Sequence, residues 1–346
     1  MPGNKPHILY IGNKLAVHGR TPTGIDSLGP LLEQEGYTLY YAGSRLKQWK
    51  RLLDMLWAVW RYRKTADLVL IDTYSTAAFY YAWLCGRLCA VLRLRYIPIL
   101  HGGALPRRFK ESPQKCRSLF GSSFMNVAVS KYLQEHLRKS GYQSKVIPNS
   151  ICLDDYAFRH RTQLQPKLLW VRSFHETYNP RMAIHVLNDL HQKYPDVHLT
   201  MVGPDVDASM ETCRQLSEVL GLESYITFTG KLSKQEWTTL AQEHDIFINT
   251  TNYDNLPVSV LEAMALGLPV VSTNVGGMQH LITDKVNGLL VNAGDVAAMT
   301  MAIKQLTQDT ELAAKLSSNA RKYAEAFDWN IIKAQWQTLF NTVSNN

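Results

Sequence analysis

The sequence predicts an α/β chain of two doubly wound domains, each a parallel sheet with helices on its faces. Short apolar runs alternate with segments of helical period along both halves, the pattern of repeated βαβ units. Several runs end in Gly turns, and 346 residues suffice for two cores of ordinary domain size.

In the first half the predicted strands are His7 to Ile11, Thr38 to Ala42, Ala66 to Ile71, Tyr96 to Leu100 and Asn126 to Val129. Predicted helices run from Leu28 to Glu35 and from Lys131 to Lys139. Val146-Ile147-Pro148-Asn149-Ser150-Ile151 then leads into a second half with predicted strands Leu168 to Arg172, Leu199 to Pro204, Ile226 to Gly230, Asp245 to Thr250 and Pro269 to Ser272. Its predicted helices are Arg181 to Lys193, Ser209 to Leu220, Lys234 to Glu243, Asp295 to Leu306 and Thr310 to Ala326, with a last amphipathic helix from Phe327 to Phe340. The join falls near residues 149 to 165, so the domains are taken as 1–155 and 156–328. Ligands of such sheets gather at the carboxyl ends of strands. Arg172, Gly203, Gly230 and Thr250 all stand at such ends.

One segment carries the most chemistry: Asp254-Asn255-Leu256-Pro257-Val258-Ser259-Val260-Leu261-Glu262, running on into Ala263-Met264-Ala265-Leu266-Gly267-Leu268-Pro269-Val270-Val271. Pro257 suits the first helical position, where its missing N–H is no loss, and Gly267 with Pro269 closes the helix. The amides from Val258 to Val260 then have no intrahelical acceptor, and with the positive end of the helix dipole they favour a phosphate. Asn255, Leu256, Pro257 and Val258 border that anion. Asp254 and Glu262 flank it, and carboxylates accept hydrogen bonds from hydroxyls. This is the shape of a nucleotide-sugar site. In the first half, His101-Gly102-Gly103 directly follows a strand, where glycines admit close approach and a His can donate to a hydroxyl.

The acidic segment resembles the signature of the retaining, GT-B-fold glycosyltransferases of family four, glycosyl transferases group 1, of bacterial cell-surface polysaccharide type. That signature has two glutamates separated by seven residues and followed by Ala-Met-Ala-x-Gly-x-Pro-Val-Val; here the first acid is Asp254 instead of Glu. The resemblance covers most of the chain, since Ile147-Pro148-Asn149 is similar to the entry of the family's second domain and Leu168 to Arg172 to its first strand. It implies two Rossmann-like domains facing a central cleft, with residues 329–346 crossing back to the first. It also implies roles: Asp254 on a donor-sugar hydroxyl, Glu262 on the ribose, Arg172 on the diphosphate and His101 at the donor sugar. Gly12 and Gly24 lie in the loop that brings acceptor and donor phosphate together, the base is read by backbone near Gly230 and Lys231, and Gly203 is placed on the nucleotide side with them. The implied activity moves a sugar from a nucleoside diphosphate, UDP ahead of GDP, to a glycan or lipid-linked acceptor, with retention and without metal or cofactor.

A departure weighs on that activity. Family members carry a Lys five residues beyond the Arg, but here that position is Thr177, with His175, Tyr178 and Arg181 as nearby supplements. Besides an active transferase, the sequence therefore admits a catalytically weak subunit that binds nucleotide or glycan and assists a partner enzyme, and an epimerase of the same architecture.

Other chemistries lack their motifs. There is no Gly-x-Gly-x-x-Gly, no phosphate loop of Walker type and no Gly-x-Ser-x-Gly elbow. Five cysteines, Cys85, Cys89, Cys116, Cys152 and Cys213, show no paired metal spacing and read as reduced thiols. Asp205-Val206-Asp207 spells the Asp-x-Asp of metal-dependent transferases, yet it precedes a helix where Asp is a common cap.

Met1 to Pro6 is too short and polar for a signal peptide, and the apolar stretch Phe79 to Leu100 is broken by Arg87, Arg93 and Arg95, so a cytoplasmic chain is expected. Net charge is +8. Arg45, Lys47, Lys50, Arg51, Arg61, Arg63 and Lys64 gather among Trp49, Trp57 and Trp60, with Arg107, Arg108 and Lys110 beyond His101. Two readings of 45–64 stand at this point: a helix resting on the anionic inner membrane face, or a core helix with a solvated charged side. No motif of nucleic-acid binding accompanies the charge.

Overall fold

The computed structural model describes residues 5–344, which divide into two units: Met1–Ser150 with Trp329–Asn346, and Ile151–Asp328. The second unit begins earlier than the expected boundary at 155. Ile151 bridges Asp328, its N–H reaches the Phe327 carbonyl at 3.0 Å, and the Asp328 carboxylate takes the Leu153 N–H at 2.9 Å, so the entry segment pairs with the exit of its own unit.

In chain order the first unit runs β1 His7–Ile11, α1 Gly24–Gln34, β2 Thr38–Ala42, α2 Gln48–Tyr62, β3 Leu68–Thr73, α3 Ala78–Val91, β4 Tyr96–Leu100, α4 Leu105–Glu111, α5 Pro113–Phe120, β5 Asn126–Ala128, α6 Lys131–Lys139 and β6 Ser144–Val146. The sheet order is β2-β1-β3-β4-β5-β6, every pair parallel. β3 is buried along its whole length, as a near-continuous Leu-Val-Leu-Ile run in a doubly covered sheet requires. Helix α1 starts before the expected Leu28 because the Asp26 carboxylate takes the Thr23 N–H at 3.0 Å, a local cap that outweighs Gly24 at the first position. Helix α3, apolar nearly all round, gives no readable period; Phe79, Ala82, Cys85 and Cys89 are buried along it.

The second unit runs β7 Lys167–Val171, α7 Pro180–His191, β8 His198–Val202, α8 Ser209–Val219, β9 Ile226–Gly230, α9 Lys234–Leu240, β10 Ile246–Asn249, α10 Val258–Ala265, β11 Val270–Thr273, α11 Met278–Leu281, β12 Leu289–Val291, α12 Val296–Gln308 and α13 Thr310–Glu325. Its sheet order is β12-β11-β10-β7-β8-β9, again parallel throughout. Helix α14, Trp329–Ser344, belongs to the first unit: Phe340 meets Tyr37 edge to face at 5.2 Å, Lys333 pairs with Glu35 at 3.0 Å, and Arg95 donates to the Val343 carbonyl.

Two buried polar fixtures set the backbone around β7 and α10. The Trp170 indole N–H donates to the Thr250 hydroxyl at 3.0 Å, and that hydroxyl donates to the Tyr178 carbonyl at 2.9 Å, joining the ends of β7 and β10. Arg161, 2% exposed, donates to the carbonyls of His244, Arg159, Leu266 and Ala241 at 2.6–3.1 Å, which ties the end of α10 to the segment before β10. Burial, with the neighbouring Arg159 charge, pushes its guanidinium down to about 9, so carbonyl dipoles stand in for a carboxylate partner. All five cysteines are free thiols, and among the described residues no helix is long and apolar enough to cross a membrane.

Candidate functional site

Each sheet has one place where the chain, having built strands outward on one side, returns to build on the other. In the second unit this lies between β7 and β10, and in the first between β1 and β3. Loops diverge there and leave a crevice at the carboxyl ends of the strands, the usual seat of a ligand in such sheets.

The loop after β7 carries Arg172 and the loop after β10 carries Asp254, so residues 82 apart in sequence meet. Arg172 is held by its own backbone N–H on the Val202 carbonyl at 3.0 Å. Gly203, at φ 153°, packs against the Arg172 carbonyl where any Cβ would collide. The guanidinium lies 4.7 Å from the centre of the Tyr178 ring and donates through Nη2 to Asp254 Oδ2, both side chains being 14% exposed. Burial pushes Arg172 below its ordinary pKa, opposed by Tyr178 and Glu262. Its Nε is buried without a hydrogen-bond partner.

Asp254 Oδ1 takes the Asn255 N–H at 2.8 Å, which seats the turn into α10. Pro257 is the cap of that helix and not its first residue: φ −69° is imposed by the ring, while ψ 116° is extended. The Val260 N–H consequently turns back to the Pro257 carbonyl at 3.2 Å, and the amides at the mouth of the helix narrow from the expected three to Val258 and Ser259. Ser259 Oγ there is a second buried polar atom without a partner. Two orphaned donors beside an open helix start are what an anionic ligand would satisfy.

Glu262, one turn into α10, accepts from the Tyr156 hydroxyl at 2.6 Å and lies 3.7 Å from Lys234 Nζ, which also sits 3.6 Å from Asp155 and 4.7 Å over the Tyr156 ring. Burial raises the Glu262 carboxyl above the usual range despite Tyr156, Lys234 and Arg172 pulling it down. By linkage, the folded state holds this proton more tightly than the unfolded chain, so the stability it brings is full below the unfolded value, about 4.3. That stability is lost as pH rises through the raised one, and the carboxylate is therefore a net cost at neutral pH. Glu262→Gln is expected to raise the thermal midpoint of this unit by a few degrees at pH 7.5 and to lose that advantage near pH 4. Scanning fluorimetry at the two values checks this; a variant less stable than wild type at pH 7.5 contradicts it.

Gly203 and Gly230 meet through backbone, Gly203 N–H on the Gly230 carbonyl at 2.9 Å, at the ends of β8 and β9. Lys231 follows on an exposed turn. Of the expected supplements to Arg172, Tyr178 braces its guanidinium, His175 faces Asp207 at 3.8 Å, and Arg181 stands exposed on the first turn of α7. The cation beside Glu262 is instead Lys234, which is not among the residues expected from the sequence. Thr177 serves the backbone: its carbonyl takes the Asn252 N–H at 2.8 Å, tying the two loops together. Asp205 and Asp207 accept from the Met210 and Ser209 amides at 3.4 and 3.2 Å, as residues of the loop before α8, whose N-cap is Ala208.

In the first unit Gly12, Gly24 and His101 converge on a residue outside the sequence expectations. Asp72, at the end of β3 and 5% exposed, accepts from Tyr10 Oη at 3.0 Å, from the Ile25 N–H at 2.9 Å and from His101 Nε2 at 2.9 Å. The His101 ring stacks on Tyr74 at 5.2 Å. A Cβ on Gly24 would stand 2.5 Å from His101 Nε2, and one on Gly12 would stand 2.7 Å from Asp72 Oδ2, so both glycines are there to admit this cluster. An Asp ending a buried strand beside a switch point is a signal the sequence did contain.

Residues 156–323 match the family "Glycosyl transferases group 1", and that span holds Arg172, Asp254 and Glu262 together. The likeness to that family is confined to the second unit. A curated relative, the D-inositol 3-phosphate glycosyltransferase of Corynebacterium glutamicum, is 28% identical over 171 residues, 48% of this chain and 41% of that protein. The chain spans about two fifths of the length of the curated relatives it matches. Among solved structures, sucrose-phosphate synthase from Thermosynechococcus elongatus aligns over 99% of this chain and 100% of that one, TM-score 0.80, 17% identity. Anabaena HepE in complex with UDP-glucose aligns over 97% and 100%, TM-score 0.75, 21% identity. At these identities the likeness shows the fold: the two units are the two Rossmann-like domains of the GT-B fold.

Proposed function

We propose that this protein is a retaining glycosyltransferase that moves a sugar from a nucleoside diphosphate, UDP ahead of GDP, to a glycan or lipid-linked acceptor. The observation that carries the reading is the Arg172–Asp254 pair just before α10 with Glu262 one turn inside that helix, all within residues 156–323. UDP is favoured because the solved neighbour Anabaena HepE holds UDP-glucose.

In this reading the donor diphosphate lies against the Val258 and Ser259 amides and takes over Arg172, whose buried Nε gains a partner. Asp254 turns from Arg172 to a hydroxyl of the sugar, and Glu262, positioned by Tyr156 and Lys234, holds the ribose hydroxyls. The bond from the anomeric carbon to the diphosphate oxygen breaks, charge builds on that oxygen, and the amides and guanidinium stabilise it where it develops. The acceptor oxygen forms its bond on the face the leaving group vacates, and its proton passes to the departing phosphate.

The test is incubation with UDP-hexoses and a panel of acceptors, the anomeric configuration of the product being read by proton NMR. A product of retained configuration supports the reading, and an inverted product overturns it. Nucleotide binding without transfer to any acceptor moves the weight to the assisting-subunit reading that Thr177 in place of Lys suggests.

A further inference from the structure

Helix α2 is apolar on both sides. Met55, Ala58 and Val59 face the core, while Trp49, Leu53, Trp57 and Trp60 point away from it and are 61%, 57%, 58% and 51% exposed. At 3.6 residues per turn these four fall within an arc of about 80° opposite the buried side. Three Trp side chains in one stripe on a water-facing helix are a large uncovered apolar surface, and such surfaces mark an interaction site.

The cations around the stripe indicate the partner. Arg45, Lys47, Lys50, Arg61 and Lys64 are exposed at its two ends, and the single acid between residues 45 and 64, Asp54, turns its carboxylate to the Gly43 N–H at 2.9 Å. Lys50 lies 5.4 Å from the Trp49 ring centre and Arg63 4.2 Å from that of Trp60, so cations and rings share one level, the arrangement of an interfacial belt. At the amino end of the stripe Arg45, Lys47 and Lys50 line an open groove of about 380 Å³ with His18, Val17 and Leu46. Val17 and Leu46 are themselves 66% and 56% exposed and extend the apolar surface.

We infer that the outer face of α2 docks on an anionic lipid bilayer, Trp49, Leu53, Trp57 and Trp60 entering the headgroup region while the groove at Lys47 and Lys50 takes a lipid phosphate. A second copy of the chain is a poor occupant, because a two-fold pairing through this face sets its cationic ends against one another. The inference uses no residue of the sugar-transfer reading and stands apart from it.

The full chain is sedimented with vesicles of neutral phosphatidylcholine and with vesicles containing one-third phosphatidylglycerol. Binding to the anionic vesicles only, weakened about a hundredfold by Lys47→Glu with Lys50→Glu and Arg61→Glu, is expected from the contribution of each basic residue at such a surface. Trp49→Ser with Trp57→Ser and Trp60→Ser should abolish binding and the accompanying blue shift of tryptophan emission. Both variants change exposed side chains, so an unchanged thermal midpoint and unchanged nucleotide titration separate lost docking from a lost fold. No binding by wild type at low salt, equal binding to neutral vesicles, or a concentration-dependent dimer that the Trp variant dissolves would each overturn the inference.

Discussion

Arg172→Ala is expected to lower kcat of the proposed sugar transfer about a thousandfold, the size seen when one preorganised group facing a developing charge is deleted. The loss has two origins that can be separated. Arg172 is the cation paired with Asp254, and both are mostly buried, so deleting one leaves the other desolvated and unpaired at a cost of about 3–5 kcal/mol. Arg172→Met combined with Asp254→Asn removes both charges and should recover most of that stability while activity stays lost. Arg172→Lys keeps a charge but not the fork that reaches Asp254 and a phosphate together, and should recover little activity. Urea unfolding and transfer assays on the three variants check this. Full activity in the double variant would remove Arg172 and Asp254 from the reaction.

Asp72→Ala is expected to cost the first unit about 3 kcal/mol, because two buried donors, Tyr10 Oη and the Ile25 amide, and the partly buried His101 Nε2 lose one shared acceptor. That is a large part of the net stability of a single domain. His101 also loses the bond that fixes its ring, so transfer should fall in the molecules that remain folded, while their UDP affinity, assigned to the second unit, is retained. A chemical-denaturation midpoint at the wild-type value would show that Asp72 is not a hub of the first unit.

How much of this is legible in the sequence differs between the two kinds of feature. Buried strands such as β7, β8 and β10 are readable to within a residue or two, since parallel strands covered on both sides are plain apolar runs. The three-residue edge strands β6 and β12 are too short to show a period, and α3 is too uniformly apolar. Arg172, Asp254 and Glu262 are legible as candidates through the long ordered run around them. Their mutual arrangement is not, because a contact across 82 residues leaves no local pattern, and so the sequence assigns Arg172 and Asp254 to separate ligand groups although they pair with each other. Tyr156 and Lys234 escape for the same reason: each reaches Glu262 from a different element, Tyr156 across 106 residues. For the segment 45–64 the sequence leaves two readings open and does not show which side of the helix meets the sheet; in the structure the tryptophans of α2 lie on the exposed side.

The proposed sugar transfer requires that the opening of α10 hold a nucleoside diphosphate. Calorimetric titration of UDP into the wild-type chain, with GDP for comparison and Glu262→Ala as the control, addresses it most directly. The expected result is one site for UDP in the wild type and an affinity at least about a hundredfold weaker in the variant, whose ribose hydroxyls would face no carboxylate. No heat with either nucleotide at millimolar concentration, or equal affinity in wild type and variant, would contradict it.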